Sequence, residues 1–356
     1  MNRRDFLHAL GALGALGFPL SDFAVARPVA RMLDAPPAQR RTDTNANTDD
    51  ERPRIGLVAI GGAACGMLPR LVGKLPYLTR SVAIDTSARA ITHARANTSI
   101  LLHDSVRRAE SPEAAAALAV AARPAIAAAI ADLDLVFILV GLGGRAGSGI
   151  APVVAAVARD LDIFSVGAPI LPFDFEGQRR RTLALVSAKA MRPGVTALYP
   201  LDNRAFALAA KDDVPMVEVI ASVTDNFIDL YRGIVKPVTE TSWIGFDFAD
   251  MRLMHGQEGL SACATASSAS MKSILAAFAQ AVVQPSLGQA RFGMASNVMV
   301  SIEGDLRGSR LAEVGEAIAS IREQCGEHVD LSFSLLPSEA PNMPCKVTVL
   351  ATGIPA

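Results

Sequence analysis

Residues 141 to 152 decide the fold, and they read Gly141-Leu142-Gly143-Gly144-Arg145-Ala146-Gly147-Ser148-Gly149-Ile150-Ala151-Pro152. The apolar run before them, from Leu133 to Val140, predicts a strand that is buried on both faces and therefore parallel to its neighbours. The segment after them is amphipathic and carries Pro152 near its first turn, which predicts a helix. The glycines thus join a strand to a helix N-terminus, where curled backbone and the helix dipole suit a phosphate.

This loop has two alternative interpretations. A plain flexible turn also uses glycine, but five glycines in residues 141–149, between a buried strand and a helix, favour a phosphate loop. The loop is not a Walker A motif, because no Gly-Lys-Ser/Thr follows it and no lysine is placed to meet β- and γ-phosphates.

Residues 143–149 resemble the tubulin/FtsZ signature GGGTGTG, with Arg145 in place of a glycine and Ala146 in place of a threonine. The flanking residues 134–137 and 151–155 resemble FtsZ as well. The resemblance implies the tubulin/FtsZ fold: an α/β nucleotide domain with a Rossmann-like parallel sheet, a long central helix and a smaller α/β C-terminal domain. It implies nucleotide contacts from five residues of the loop: Gly143, Gly144, Gly147, Ser148 and Gly149.

Composition sets the broad class. The chain has 356 residues, of which 51% are hydrophobic and 19% charged, and this fits two globular domains plus appendages. A formal net charge of -1 gives no broad attraction to nucleic acid, so we expect no nucleic-acid partner. The cysteines and histidines show no zinc spacing, and we expect no metal site made of them. Buried free thiols are the favoured state, with a Cys325–Cys345 disulfide as the alternative.

The N-terminus has the layout of a twin-arginine export signal. Arg3 and Arg4 precede an apolar stretch from Leu7 to Leu20, and residues 24–26 offer a small-residue cleavage site. The stretch is too short for an ordinary membrane span, and a short amphipathic arm is the weaker alternative. Residues 27–53 lack periodicity and predict a disordered tether. We expect an exported or membrane-tethered protein, with a cytoplasmic location as the alternative.

We therefore divide the chain into five segments. They are the twin-arginine segment 1–26, the tether 27–53, a nucleotide-binding domain 54–213, a central helix 214–237 and a C-terminal α/β domain 238–356. Apolar residues that recur at intervals of three and four predict the central helix over Val214 to Ile234.

A second glycine cluster, residues 61–66, follows the predicted strand Ile55–Ile60. Together with Asp85 at the end of the next strand, it imitates a Rossmann dinucleotide site, although Ala63 stands where the second glycine belongs. The loop at Gly141 favours FtsZ over a Rossmann domain, which does not need a second glycine loop. The resemblance then implies nucleotide contacts from four residues: Gly61, Gly62, Gly66 and Asp85.

Two further segments carry nucleotide-binding candidates. Residues 172–180 resemble the family's Pro-Phe-Asn-Phe-Glu-Gly-Lys-Lys-Arg, so Glu176 is expected to meet the ribose and Arg180 to lie near the nucleotide. Asp225 stands where the family reads guanine N1–H and the exocyclic amine. Taken alone, Arg180 belongs to an exposed helix face and Asp225 is an ordinary surface acid.

The catalytic candidates are Asp247 and Asp250. Residues 245–250 resemble the family's Asn-x-Asp-Phe-Ala-Asp loop, which reaches the nucleotide of the adjoining subunit and orients the attacking water. A carboxylate pair can polarise a water molecule. From the residues alone, Asp247 is an N-cap with Asp250 in the first helical turn, and the resemblance favours both roles together.

Other segments complete the expectation. A helix is predicted from Met67, a helix kinked at Pro124 over residues 113–133, and one or two helices over residues 259–283 because of their Ala and Ser content. The closing residues 346–354 resemble the family's last strand, and no partner-binding peptide is expected after them.

The sequence thus predicts an FtsZ-like protein that binds GTP or GDP, is compatible with Mg²⁺, and self-associates into filaments. The resemblance also implies a place among cell-division proteins. Hydrolysis is expected to be slow, since residues 107–113 lack the family's glycines, Ala146 lacks a hydroxyl and Gly245 lacks an amide. The alternatives are a catalytically inactive nucleotide-binding scaffold and a dinucleotide-dependent oxidoreductase.

Overall fold

The computed structural model describes residues 52–102, 110–210, 213–268, 274–288, 292–305, 311–326, 328–338 and 343–355. The predicted twin-arginine segment, nearly all of the tether and the arginines at 107 and 108 lie outside these ranges. The chain forms two compact units. Within the described ranges, the first consists of residues 52–72 and Leu78–Thr196, and the second consists of Gly73–Tyr77 and the residues from Ala197 onward.

The first unit is built on a parallel sheet. Its strands are β1 (Ile55–Ile60), β2 (Leu78–Asp85), β3 (Thr98–Leu101), β4 (Leu135–Gly141) and β5 (Phe164–Leu171). They lie in the order β3-β2-β1-β4-β5, with every neighbouring pair parallel. Every residue of β1 and β5 is buried, so both faces of the sheet are covered, as the continuous apolar runs predicted.

The described residues of this unit form six α-helices. They are α1 (Gly61–Leu71), α2 (Ala88–Ala94), α3 (Pro112–Ala121), α4 (Arg123–Ile130), α5 (Arg145–Asp160) and α6 (Gln178–Met191). Helix α1 begins directly at Gly61 rather than at Met67, because the strand passes into the helix without a turn. Helices α3 and α4 meet at a bend of 67°, with Pro124 in the first turn of α4, which confirms the kink predicted there.

The second unit combines a sheet with helices. In chain order it contains β6 (Ala197–Leu198), β7 (Leu201–Asp202), α7 (Asn203–Ala209), α8 (Met216–Thr239), α9 (Phe248–His255), β8 (Leu260–Ser268), α10 (Ile274–Val282), β9 (Asn297–Gly304), α11 (Leu311–Cys325), β10 (Asp330–Pro337) and β11 (Cys345–Ile354). Its four-stranded sheet has the order β10-β9-β11-β8, in which β11 is antiparallel to both of its neighbours.

The helical prediction for residues 259–283 is wrong in its first half. Residues Leu260–Ser268 form the edge strand β8, and only Ile274–Val282 form a helix. The alanines and serines of β8 pair with β11, for example Ala264 with Val349. Pairing with a buried central strand outweighs the weak helix propensity of such residues.

Helix α8 is the predicted central helix, and it extends five residues beyond the predicted end at Ile234. Its apolar side is buried, and two hydrogen bonds fix it within the second unit. Tyr231 Oη donates to Pro76 O at 2.8 Å, and Asn226 Nδ2 donates to Cys263 O at 3.1 Å.

The four cysteines are free and buried, which confirms the favoured prediction. Burial raises the pKa of the Cys65 thiol to about 12, so it is inert as a nucleophile. Within the described ranges, no single helix combines the length and apolar composition of a membrane span; one bent pair, α3 with α4, satisfies these criteria together, on length and composition alone.

Candidate functional site

The glycine loop lies where the sequence predicts it, between the end of β4 at Gly141 and the start of α5 at Arg145. Gly144 is the N-cap and offers no side chain to the helix. The first backbone bond of α5 runs from Ser148 N to Gly144 O at 3.2 Å. The N–H groups of Arg145, Ala146 and Gly147 therefore precede the intrahelical bonds and point out of the helix end.

Three glycines of this loop are required by close packing. A Cβ at Gly147 would lie 2.1 Å from Gly141 O, and one at Gly149 would lie 2.0 Å from Pro112 O. Gly143 has a φ of 87°, and a Cβ there would lie 2.8 Å from Arg180 O. At Gly144, by contrast, a Cβ would meet nothing within 4 Å.

Ser148 is buried, and its hydroxyl serves the loop itself. Its Oγ accepts a hydrogen bond from Gly143 N at 2.9 Å, and its exposed fraction is 1%. This side chain holds the curl of the loop, so its contribution to a bound anion is the position it gives to the neighbouring N–H groups.

Helix α1 starts beside the same loop. Strands β1 and β4 pair in register up to Ile60 and Val140, so both helices leave the sheet at the same edge. Gly61 has a φ of 80°, and a Cβ there would lie 3.3 Å from both Cα and N of Gly147. A Cβ at Gly62 or Gly66 would meet nothing within 4 Å, so packing does not require glycine at either position.

The starts of α1 and α5 both lack caps. Neither has a side-chain cap hydrogen bond, and neither has an acid in its first turn. Four other helices are capped by side chains: Ser87 caps α2, Ser111 caps α3, Asp202 caps α7 and Asp247 caps α9. Two adjoining uncapped N-termini combine bare donors with two positive helix-dipole ends, an arrangement that binds an anion such as phosphate.

Asp85 faces inward. It is 3% exposed, and its Oδ1 accepts from Ser87 N at 2.8 Å, an arrangement that shapes the turn into α2. Burial raises the pKa of this carboxyl, against the lowering effect of the Ser87 N–H. A carboxylate so enclosed does not present itself to a ribose hydroxyl.

Glu176 and Arg180 contact each other at the start of α6. Arg180 Nη1 donates to Glu176 Oε2 at 2.6 Å, and Glu176 Oε1 accepts from Phe173 N at 2.9 Å. Gly177, with a φ of 96°, makes the turn between them. Both oxygens of Glu176 thus have partners within the unit, while 54% of the Arg180 side chain is exposed.

Asp225 lies in the second unit, on an exposed face of α8. It lines a cavity of about 390 Å³ together with Lys74, Ile228, Asp229 and Arg232. Asp229 is paired with Lys346 at 2.7 Å. The cavity gives Asp225 an open approach from solvent.

Asp247 and Asp250 form a capping box at the start of α9. Asp250 N donates to Asp247 Oδ1 at 2.8 Å, and Asp247 N donates to Asp250 Oδ2 at 3.3 Å. The capping role predicted from the residues alone is therefore confirmed. Both residues are exposed, so their remaining carboxylate oxygens stay accessible.

Residues 70–210 match the family described as "Tubulin/FtsZ family, GTPase domain". The fold agrees with this match: an empty FtsZ dimer from M. jannaschii superimposes with a TM-score of 0.72 at 25% identity, covering 85% of this chain and 88% of that one. The chain has the tubulin/FtsZ fold. This confirms the predicted fold class.

Two further proteins extend the comparison. The cell division protein FtsZ of Magnetospirillum gryphiswaldense is 28% identical over 312 residues, which are 86% of this chain and 55% of that protein. The chain thus spans about half the length of that relative. A GTPγS-bound protofilament of CetZ2 from Haloferax volcanii shares the fold, with a TM-score of 0.70, 21% identity and coverage of 85% and 93%.

The second unit holds a buried polar pair that the sequence analysis did not predict. Tyr199 Oη lies 2.8 Å from His255 Nε2, and His255 Nδ1 lies 2.8 Å from Met251 O. Because the carbonyl can only accept, Nδ1 carries the proton and Nε2 accepts from tyrosine. Burial lowers the pKa of His255 to about 4. The two residues are 56 positions apart in the chain, so no local sequence pattern predicts their contact.

No metal-binding cluster is found in the part of the chain that the structure describes: no three His, Cys, Asp or Glu side chains converge there.

Proposed function

We propose that this chain is an FtsZ-like GTP-binding protein whose phosphate site is the joined start of α1 and α5. One observation carries the proposal: two adjoining helix N-termini lack both side-chain caps and first-turn acids, while close-packed glycines hold their backbones together. In such a site a bound anion can accept hydrogen bonds from the N–H groups that no capping side chain accepts from. The family match of residues 70–210 supports guanine nucleotide as that anion.

The remaining binding roles follow the resemblance. Asp225 accepts from guanine N1–H and the exocyclic amine, Glu176 accepts from ribose hydroxyls, and Arg180 pairs with phosphate. Nucleotide binding therefore exchanges the Glu176–Arg180 contact at 2.6 Å for contacts to the ligand. GTP and GDP are the nucleotides, and Mg²⁺ accompanies them through phosphate oxygens.

Self-association and slow hydrolysis complete the proposal. Asp247 and Asp250, exposed at the start of α9, act on the nucleotide of a neighbouring copy and orient the attacking water. Hydrolysis is slow because Ala146 and Gly245 lack donors that the family supplies, and the loss of one such donor typically lowers kcat about a hundredfold. The activity should rise more than linearly with protein concentration.

An inactive nucleotide-binding scaffold is the second candidate. The same two substitutions favour it, together with a Glu176 whose two oxygens are already paired. The alternative of a dinucleotide-dependent oxidoreductase relied on Asp85 as the acid at the end of β2. The structure does not support that role, because the Asp85 carboxylate is buried.

Equilibrium binding of labelled GTP, GDP, ATP and NAD to the purified chain separates these candidates. We expect GTP and GDP to bind and to exclude each other, with ATP and NAD much weaker. Preferential NAD binding would refute the proposal. Guanine nucleotide binding without phosphate release at any protein concentration would leave the scaffold.

We also propose that Arg3 and Arg4 direct export or membrane association. Replacement of both by lysine, followed by cell fractionation, tests this. The parent chain should be exported or membrane-bound and the double variant cytoplasmic; a wholly soluble cytoplasmic distribution of both would contradict the proposal.

A further inference from the structure

Arg145 is the first residue of α5, inside the glycine loop, and its side chain is exposed. Among the described residues it forms no salt bridge, and its hydrogen bond, from Nη1 to Glu110 O, is long at 3.5 Å. Other arginines of the same unit have carboxylate partners: Arg54, Arg80, Arg123, Arg159 and Arg180. Within the described ranges, no carboxylate therefore pairs with the charge of Arg145.

The positive charge of Arg145 also lies at an electrostatically unfavourable position, the N-terminus of α5. A cation in the first turn of a helix is repelled by the positive end of the helix dipole, and α5 has no acid in that turn to offset it. Sequences that break a local rule of this kind often do so at functional sites. A bound anion would relieve the repulsion from the side chain and the helix end together.

The direction of the Arg145 side chain indicates which part of a bound anion it would contact. Glu110 belongs to residues 107–113, the segment that stands where the family closes a glycine-rich loop over the terminal phosphate. The guanidinium of Arg145 reaches the carbonyl of this residue, beside the start of α3. The guanidinium thus lies at the edge of the proposed phosphate site, beside Glu110, rather than among the N–H groups of the glycine loop.

We propose that Arg145 pairs with the terminal phosphate of a bound nucleoside triphosphate and makes the site prefer triphosphate over diphosphate. This inference rests on the proposed function and names the ligand state that the same site selects. A guanidinium matches phosphate oxygens with two parallel N–H groups, which suits a segment that lacks glycine N–H groups. The arginine that replaces a signature glycine thus adds a charged donor next to the position where Ala146 lacks a hydroxyl.

The test compares labelled GDP with labelled GTPγS in equilibrium titrations of the parent chain and four variants. Arg145→Gln and Arg145→Gly remove the charge, and the glycine variant also restores the family residue. Arg145→Lys keeps the charge without the planar fork. Arg70→Gln is the control, because Arg70 is an exposed arginine in the last turn of α1, at the opposite end of that helix.

We expect Arg145→Gln and Arg145→Gly to reduce the preference for GTPγS over GDP by about tenfold or more, as for loss of a hydrogen-bonded charge. The affinity for GDP should change little. Arg145→Lys should keep part of the preference, and Arg70→Gln all of it. The melting temperature of nucleotide-free Arg145→Gln should rise, because the helix dipole no longer faces a cation.

An unchanged GTPγS-to-GDP ratio in Arg145→Gln would overturn the inference. A lower melting temperature with equal loss of both nucleotides would also overturn it, since that pattern marks a structural role. If the parent chain binds neither nucleotide, the proposed function itself fails, and this outcome is distinct from the other two.

Discussion

Helix α9 caps its first N–H groups with its own side chains, whereas helices α1 and α5 leave theirs uncapped. Every helix begins with N–H groups that have no intrahelical acceptor. At α9 the chain supplies the acceptors itself, since Asp247 and Asp250 each accept from the other's backbone. At α1 and α5 it supplies none, and glycines bring the two bare ends into contact.

The difference shows what each region can offer a ligand. The α1 and α5 ends present positive potential that an anion can satisfy. The α9 start is stable without a ligand, and its carboxylates present negative charge to solvent or to another molecule. In the proposed function the first region holds the nucleotide, and the second acts on the nucleotide of another copy.

The largest expected effect concerns the packing of the α5 start against the end of β4, which positions the bare N–H groups. Gly147→Ala should lower the free energy of unfolding by roughly 3 kcal/mol and abolish nucleotide binding, because the new Cβ would lie 2.1 Å from the backbone carbonyl of Gly141. Denaturant unfolding and a GDP titration measure the two losses.

The matched control is Gly144→Ala in the same loop. A Cβ there meets nothing within 4 Å and φ is -98°, so its stability should fall by less than about 1 kcal/mol. If Gly147→Ala is as stable as Gly144→Ala, the start of α5 does not pack closely against the end of β4.

The second effect tests whether α9 is fixed at its other end by His255. Its pKa is lowered to about 4 by burial, from 6.5 in the unfolded chain, so the native state holds it neutral. The neutral, buried His255 contributes fully to the free energy of unfolding above pH 6.5, and this contribution is lost as pH falls from 6.5 to about 4. The loss should reach about 3 kcal/mol of unfolding free energy.

Between pH 6.5 and 4, the free energy of unfolding should fall less in His255→Gln than in the parent chain. Tyr199→Phe removes the hydrogen bond at 2.8 Å but leaves the histidine, so its decline should persist. An identical pH dependence in His255→Gln and the parent would show that another group controls acid stability.

The sheet of the first unit could be predicted because its strands are continuous apolar runs. The predicted strand Ile55–Ile60 agrees with β1 in both bounds, since a buried parallel strand carries its whole signal locally. Strand β8 could not be predicted, because its alanines and serines become a strand only through pairing with β11, which lies 77 (Ser268 to Cys345) to 94 (Leu260 to Ile354) positions away.

The site was predictable to a similar degree. The glycine loop and the α9 cap are local patterns, and both are found where the sequence places them. The contact between the α1 and α5 ends, the burial of Asp85 and the Glu176–Arg180 pair depend on side-chain direction and on strand order. Neither can be read from spacing along the chain.

The third effect separates the two roles of Asp247. Asp247→Ala removes the cap and should cost about 1 kcal/mol of stability, whereas Asp247→Asn should keep it, because asparagine caps as well as aspartate. Both variants lack the carboxylate. If the carboxylate orients water, both should lose phosphate release while binding GDP like the parent.

Phosphate release per molecule, measured at several protein concentrations, and thermal unfolding give the two readings. Full hydrolysis by Asp247→Asn would contradict the catalytic role and leave only the cap. Equal stability of the alanine and asparagine variants would contradict the cap.

The smallest effect compares a bare helix start with a capped one directly. Ala146→Thr restores the family hydroxyl in the first turn of α5, where an anion is expected, and should strengthen GTPγS binding by about 0.5 to 1 kcal/mol through one neutral hydrogen bond. Ala114→Thr is the control, because it adds the same group to the first turn of α3, whose cap Ser111 already accepts from Ala114 N at 3.2 Å. Titrations with labelled GTPγS should show a gain for Ala146→Thr alone. Equal affinities in the two variants would mean that the side chain at position 146 does not reach the phosphates, and the slow hydrolysis would then need a cause other than this missing hydroxyl.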